Sequence, residues 1–180
     1  MKAVILNGSP RLNGNTRTAA LEIERGIKEN IQGVETELID ASVKNIHPCR
    51  GCNACRKNEG ECILKDDMPH VLDSISRAEV LVFATPVYYW GISAQMKALI
   101  DRFYSRKEFH GQKKTIGLFV DGEAELDDPE YRLIKEQIEC ISDYLGWTVK
   151  YVKFVPTSDI DTVAKDDTLK RELYDFYKCI

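Results

Sequence analysis

Residues 2–18 read KAVILNGSPRLNGNTRT, and this stretch decides the fold. Ala3-Val4-Ile5-Leu6 is a short unbroken apolar run, the pattern of a strand buried on both faces. It stops at the turn formers Asn7-Gly8-Ser9-Pro10. A second polar turn, Asn13-Gly14-Asn15-Thr16, leads into Ala19-Ala20-Leu21-Glu22-Ile23, which reads as a helix. A buried strand, a loop of hydroxyls and amides, and a helix N-terminus together make an anion cradle. The first-turn N–H groups lack intrahelical partners, and the helix dipole concentrates positive charge there. Ser9, Arg11, Asn13, Asn15 and Thr16 are the side chains this loop offers to a phosphate, with Arg11 its fixed charge. The loop lacks the Gly-Lys-Ser/Thr of a nucleotide-triphosphate loop and the GxGxxG dinucleotide pattern, so a monophosphate ester fits better than a polyphosphate with magnesium. An ordinary strand-to-helix turn with an Asn or Thr cap is the alternative at this point.

The chain has 180 residues, 43% hydrophobic and 30% charged, which suits one domain over 1–180 with a proper core. A net charge of −4 argues against a nucleic-acid binder. No apolar run approaches the roughly 20 residues a membrane span needs, and the chain starts directly in a strand, so a cytoplasmic protein is expected. In a reducing compartment, six cysteines suggest metal binding or redox work before structural disulfides.

A first helix is expected over about 15–31 and a second strand over 34–39. Residues 40–60 form a long polar connection carrying most of the cysteines. A helix follows over 66–78, capped by Asp66, with Met68, Val71, Leu72 and Ile75 at helical spacing. Val80–Ala84 is a third strand, and Thr85–Gly91 a loop. Ser93 caps a helix whose Met96, Leu99, Ile100 and Phe103 are buried. Strands over 115–120 and 148–154 and helices over 131–145 and 168–177 complete the chain. Strands alternating with helices, several wholly apolar, call for an α/β fold with a parallel sheet covered on both faces. The number of elements matches a flavodoxin-like, five-stranded sheet in the order 2-1-3-4-5, in which ligands bind beyond strands 1 and 3. The two loops that look built for binding follow those two strands, which points to FMN.

Pro86, Val87, Tyr88, Trp90 and Gly91 suit the flavin ring: Pro86 stiffens the turn, Gly91 permits close backbone approach, and the others offer flat apolar walls. Taken singly, each aromatic could equally pack against the core or a partner subunit. The combination of GSPRLNGNT after strand one with ATPVYYWGISAQMKALIDR after strand three resembles the NADPH-dependent FMN reductase group of flavodoxin-like proteins. The run Cys49-x2-Cys52-x2-Cys55-x6-Cys62, within an insertion over about 45–65 and followed by Ile63–Met68, resembles the iron–sulfur flavoprotein branch of that group. The resemblance covers roughly residues 1–105 closely. It implies bound FMN, NAD(P)H as a co-substrate, a small-molecule donor or acceptor or a ferredoxin-like protein as electron partner, and a homodimer or homotetramer.

Three cysteines at x2 spacing can wrap one face of a [4Fe–4S] cubane, and a fourth from a nearby turn can close it. Zinc, usually taken by two separated thiolate pairs, is a rival, and reduced thiols without metal are another. The loop leaves the end of strand two on the flavin edge, so a cluster there is expected close enough to pass single electrons to FMN, within one subunit or across a dimer interface. Cys140, between Ile138 and Ile141, reads as core, and Cys179 as incidental. His47, His70 and His110 read as exposed. Arg102, Arg106 and Lys107 could meet an NADPH phosphate or simply face solvent, and the acidic loop Asp121–Asp128 reads as solvated. A cluster-free NAD(P)H-dependent FMN or quinone reductase and a non-enzymatic flavodoxin-like carrier are the alternative functions.

Overall fold

The computed structural model describes residues 1–180. In chain order its elements are β1 (Lys2–Asn7), α1 (Asn15–Asn30), β2 (Glu35–Asp40), α2 (Ala54–Lys57), α3 (Met68–Arg77), β3 (Val80–Tyr88), β4 (Gly91–Ile92), α4 (Ala94–Asp101), β5 (Thr115–Gly122), α5 (Pro129–Leu145), β6 (Thr148–Pro156), α6 (Thr162–Lys165) and α7 (Asp167–Tyr174). Short 3-10 turns span Arg102–Ser105, Lys107–Phe109 and Asp175–Cys179.

Five strands pair in parallel in the order β2-β1-β3-β5-β6, which is the flavodoxin-like winding once β4 is set aside. The sixth strand, β4, corrects the five-stranded expectation. It pairs antiparallel with the end of β3, where Val87 opposes Ile92 and Tyr88 opposes Gly91. Residues expected as loop are thus a hairpin, turned at Tyr89 and Trp90 with φ of 51° and 63°. Apolar Val87 and Tyr88 simply continue the strand that Val80–Ala84 begins. The final helix also breaks, α7 giving way to a 3-10 turn after Tyr174.

The strands' period of two sorts their side chains to two cores. Val4, Leu6, Leu81, Phe83 and Leu118 face α3, α4 and α5, meeting Met68, Leu72, Met96, Leu99, Ile134 and Ile138. Ala3, Ile5, Val80, Val82 and Phe119 face α1, α6 and α7, meeting Ala19, Ile23, Ile27, Val163 and Leu173. Packing on the second face is close: a Cβ on Gly26 of α1 would lie 1.9 Å from Tyr174 O. Lys114, at the entry to β5, donates to the carbonyls of Ile75, Ser76 and Ala78, and so caps the end of α3 from outside the helix. No helix is long and apolar enough to cross a membrane.

Candidate functional site

The carboxyl ends of β1 and β3 are joined by hydrogen bonds. Gly8 N donates to Ala84 O at 2.8 Å. Ser93 Oγ donates to Gly8 O at 2.6 Å and accepts from Met96 N at 3.2 Å, while Ser93 N donates to Thr85 Oγ1 at 3.1 Å. Ser93 therefore caps α4, as its position implies, and also ties that helix to the first loop. Gly8 is required here, since a Cβ would meet Ser93 Oγ at 2.8 Å and Met96 Cβ at 2.9 Å.

The loop after β1 holds its shape from within. Asn7 Oδ1 accepts from Ser9 N at 3.0 Å, Ser9 Oγ accepts from Arg11 N at 3.1 Å, and Asn7 Nδ2 donates to Asp40 at 2.8 Å. Gly14 precedes α1 and offers no side-chain cap. The first-turn N–H groups of Asn15, Thr16 and Arg17 donate to no protein group. An uncapped helix end facing a loop with a free guanidinium fits a phosphate, which takes the place of a cap. Arg11 is exposed and makes no ion pair, and Asn13 is exposed beside it.

Two expected phosphate contacts are already committed. The Asn15 side chain donates to Asp159 O at 2.6 Å and accepts from Val163 N at 2.9 Å, tying α1 to the segment after β6 and leaving its backbone N–H for an anion. Thr16 Oγ1 donates to Asp121 Oδ1 at 2.6 Å. Asp121 corrects the solvated-loop reading: it is buried at the end of β5, while Glu123, Glu125, Asp127 and Asp128 remain exposed. Burial pushes the Asp121 carboxyl up to about 6, against the lowering effects of Thr16, its own backbone N–H and Arg11.

The hairpin β3–β4 stands beside this cradle. Pro86 is buried and Val87 turns inward, its Cγ2 lying 2.8 Å from where a Cβ on Gly122 would sit. Tyr88 is partly exposed. At the tip Tyr89 is 94% and Trp90 56% exposed, with their rings edge-on at 5.3 Å. Non-glycine residues in the left-handed region cost roughly 1 kcal/mol or more each, so the tip is held up against local preference.

The cysteines of the run sit in the segment after β2. Their loop leaves β2 on the cradle's edge, then packs against Arg102–Ser105 beyond the far end of α4; a Cβ on Gly60 would lie 2.8 Å from Ser105 O. The eight residues of α4 place that end about 12 Å from Ser93 along the helix axis. Cys49, Cys52, Cys55 and Cys62 line one small cavity there. As they stand, no three His, Cys, Asp or Glu side chains are close enough to share a single metal ion.

Arg102 forms the floor of this loop rather than facing solvent. Its Nη atoms donate to Asp66 at 2.7 and 3.2 Å and to His47 O at 2.9 Å. Asp66, expected as a cap for α3, does accept from Met68 N at 3.2 Å, yet its main partner is Arg102. Burial alone would raise the Asp66 carboxyl, but Arg102 and the N–H groups of His47 and Met68 hold it below the usual carboxylate range. Arg106 is half-buried and paired with Asp73 and Glu108, whereas Lys107 is exposed. Cys140 is exposed on α5, where it lines a groove of about 880 Å³ with Cys49, Arg56, Tyr104 and Tyr144. Cys179, His47, His70 and His110 are exposed, His70 on α3 rather than in a loop.

The family model described as NADPH-dependent FMN reductase matches residues 1–135. The chain belongs to that family. An iron-sulfur flavoprotein of Methanocaldococcus jannaschii is 42% identical over 102 residues, covering 57% of this chain and 51% of that protein. A putative NAD(P)H-dependent FMN-containing oxidoreductase of Bacillus subtilis, YwqN, is 30% identical over 161 residues, covering 83% of this chain and 82% of YwqN. The chain spans about half the length of the iron-sulfur flavoproteins it matches, 51% and 45% in two of them. Among solved structures, an FMN-dependent NADH-azoreductase of Bacillus anthracis in complex with FMN superimposes with a TM-score of 0.68 at 12% identity, covering 99% of this chain and 98% of that one; the likeness is one of fold.

Proposed function

We propose that this protein, as one domain, binds FMN between the loop after β1 and the β3–β4 hairpin and exchanges electrons with a small-molecule partner through it. The observation that carries the reading is the Gly8–Ser93 suture, which fixes an uncapped helix N-terminus beside an aromatic hairpin at one sheet edge. When bound, FMN supplies hydride or electron transfer at its ring. The chain's own residues bind and orient. In this reading the amides of Asn15 and Thr16, the Ser9 hydroxyl and Arg11 hold the phosphate, with Asn13 at the rim. Pro86, Val87, Tyr88, Trp90 and Gly91 shape the ring's surroundings.

The same proposal gives Cys49, Cys52, Cys55 and Cys62 a [4Fe–4S] cluster. Its support is the convergence of all four thiols on one cavity. That cavity is narrow as it stands, about 30 Å³, so seating the group moves a wall. The Cys49–Asn53 segment is such a wall: it is exposed, and a Cβ on Gly51 would meet nothing within 4 Å. It also separates the cavity from the larger groove, since Cys49, Gly51 and Asn53 line both. A cluster held by these four thiolates would supply single-electron transfer between FMN and a ferredoxin-like or small-molecule partner. The exposed Tyr89 and Trp90 pair suits a subunit contact in a homodimer or homotetramer, within the cytoplasm.

The cavity's size favours a second reading, a cluster-free NAD(P)H-dependent FMN or quinone reductase. Purification without oxygen, followed by the visible spectrum and iron, zinc and flavin analysis, separates the two. Flavin with about four irons per chain supports the cluster; flavin with no metal leaves the cluster-free reductase, and no flavin overturns both.

A further inference from the structure

Four cysteines and two arginines, Arg50 and Arg102, line the same cavity. Cys49, Cys52, Cys55 and Cys62 line it with Arg102 and Ser105. The Arg102 side chain is 1% exposed and that of Asp66 0%. Asp66 and His47 O take the Nη atoms, but Arg102 Nε is buried and donates to nothing. An unmatched buried donor costs about 1–3 kcal/mol, and more on a charged group, so native folds rarely leave one. Ser105 Oγ, the polar neighbour on that wall, is turned to donate to Arg102 O at 2.9 Å. Of the other side-chain acceptors on the cavity, Asp101 is paired with Lys97 and Asn53 Oδ1 accepts from the Tyr104 hydroxyl, while the four cysteine sulfurs accept from no side chain. Burial alone would push the guanidinium's pKa down, but Asp66, with Cys62 and Cys49 contributing electrostatically, raises it above the usual range.

Resting on the cluster reading above, we infer that Arg102 is a working part of the cysteine site. Its Nε–H donates to a sulfur of the group held by Cys49, Cys52, Cys55 and Cys62, and its charge raises that group's reduction potential. A positive charge and a hydrogen bond to sulfur both favour the more negative, reduced state. Asp66 supplies the anchorage. It occupies the Nη atoms, keeps the guanidinium from leaving for water, and leaves Nε without a protein acceptor. The pair also holds the loop itself, since Asp66 accepts from His47 N at 3.0 Å while Arg102 donates to His47 O at 2.9 Å.

The test uses intact protein isolated without oxygen. Arg102→Lys keeps the charge and a bond to Asp66 but has no donor at the Nε position. The double variant Arg102→Gln with Asp66→Asn removes both charges without stranding a buried carboxylate, which a single Arg102→Gln change would do at the risk of unfolding. Iron per chain, circular dichroism and a spectroelectrochemical titration of cluster and flavin are measured on each. The expected result is unchanged iron and flavin potential in both, and a cluster harder to reduce. In the double variant the oxidised-to-reduced ratio at fixed poise rises about tenfold, equivalent to about 59 mV for a one-electron couple. Arg102→Lys shifts it the same way by less. Iron retained with an unchanged cluster potential in both variants overturns the inference, leaving Arg102 a structural clamp. Iron present in the wild type but lost from folded variants also overturns it, making Arg102 a determinant of assembly. Wild-type protein that binds flavin but no iron rejects the cluster reading itself, and the inference with it.

Discussion

Thr16 Oγ1 lies 2.6 Å from Asp121 Oδ1, and the two residues come from the first turn of α1 and the carboxyl end of β5, 105 positions apart. The contact places a carboxyl group, nearly shut off from water, under the loop that is to hold a phosphate. Its consequence is a pH dependence whose direction can be worked out. Raised from 3.8 to about 6, Asp121 binds its proton more tightly folded than unfolded. Its contribution to stability is therefore greatest below pH 4 and declines as pH rises to about 6, by about 3 kcal/mol. Asp121→Asn is expected to gain on the wild type across that window and to keep a constant advantage above it. Urea unfolding of the flavin-free protein from pH 4.5 to 8 measures this; equal differences at every pH would rule out the buried charge as its source.

The same carboxylate opposes an anion in the cradle. FMN binding to the wild type should weaken relative to Asp121→Asn as pH passes 6. The comparison between the two proteins is needed because a phosphate monoester ionises in the same range. Quenching of flavin fluorescence reports both affinities.

Arg11 makes the opposite contribution. Its guanidinium is exposed and unpaired, so Arg11→Ala should leave the melting temperature of the flavin-free protein unchanged. FMN should bind about 10- to 100-fold more weakly, the loss of one charge-assisted hydrogen bond. Undiminished flavin occupancy after dialysis would remove Arg11 from the cradle.

Gly8 and Ser93 set the distance between the two flavin loops. Gly8→Ala forces a methyl to within 2.8 Å of Ser93 Oγ and 2.9 Å of Met96 Cβ, and should cost about 1–3 kcal/mol together with most of the bound flavin. Ser93→Ala should cost a similar amount, by leaving Gly8 O and the first turn of α4 unsatisfied. Thermal unfolding and flavin content, measured together, check both.

Much of this architecture was legible because it is local. The apolar runs of β1 and β3, the stripe Met96, Leu99 and Ile100, and the Ser93 cap are all written within a few residues of one another. The winding followed from the alternation of strands and helices. What escaped notice depends on partners far along the chain. Asp121 is an acidic residue in an acidic stretch, and nothing nearby distinguishes it from Asp127, which is exposed; only β5's place beside β3 buries it. Arg102 looked like the charged end of a helix until Asp66, 36 positions earlier, folded onto it. Cys140 sits between two apolar residues, yet its turn of α5 faces the groove and not the core.

The hairpin tip offers a test of assembly. Tyr89 is 94% exposed and its neighbour Trp90 56%, a large apolar area to leave in water on a strained turn. Replacing both with serine should shift the protein to a smaller assembly in light scattering while leaving its circular dichroism intact. An unchanged mass would place any subunit contact elsewhere.

Helix α4 links the two candidate sites as a rigid rod, Ser93 tying one end to the cradle and Arg102 tying the other to the cysteine loop. The spacing between them is thus coded in units of one residue, about 1.5 Å each, and every unit also turns one end by about 100° relative to the other. Distance and bearing cannot be varied independently. A single inserted residue would swing the cysteine loop around the helix, whereas seven, close to two full turns, would carry it outward nearly face-on. Any redesign that moves these sites apart is confined to such steps.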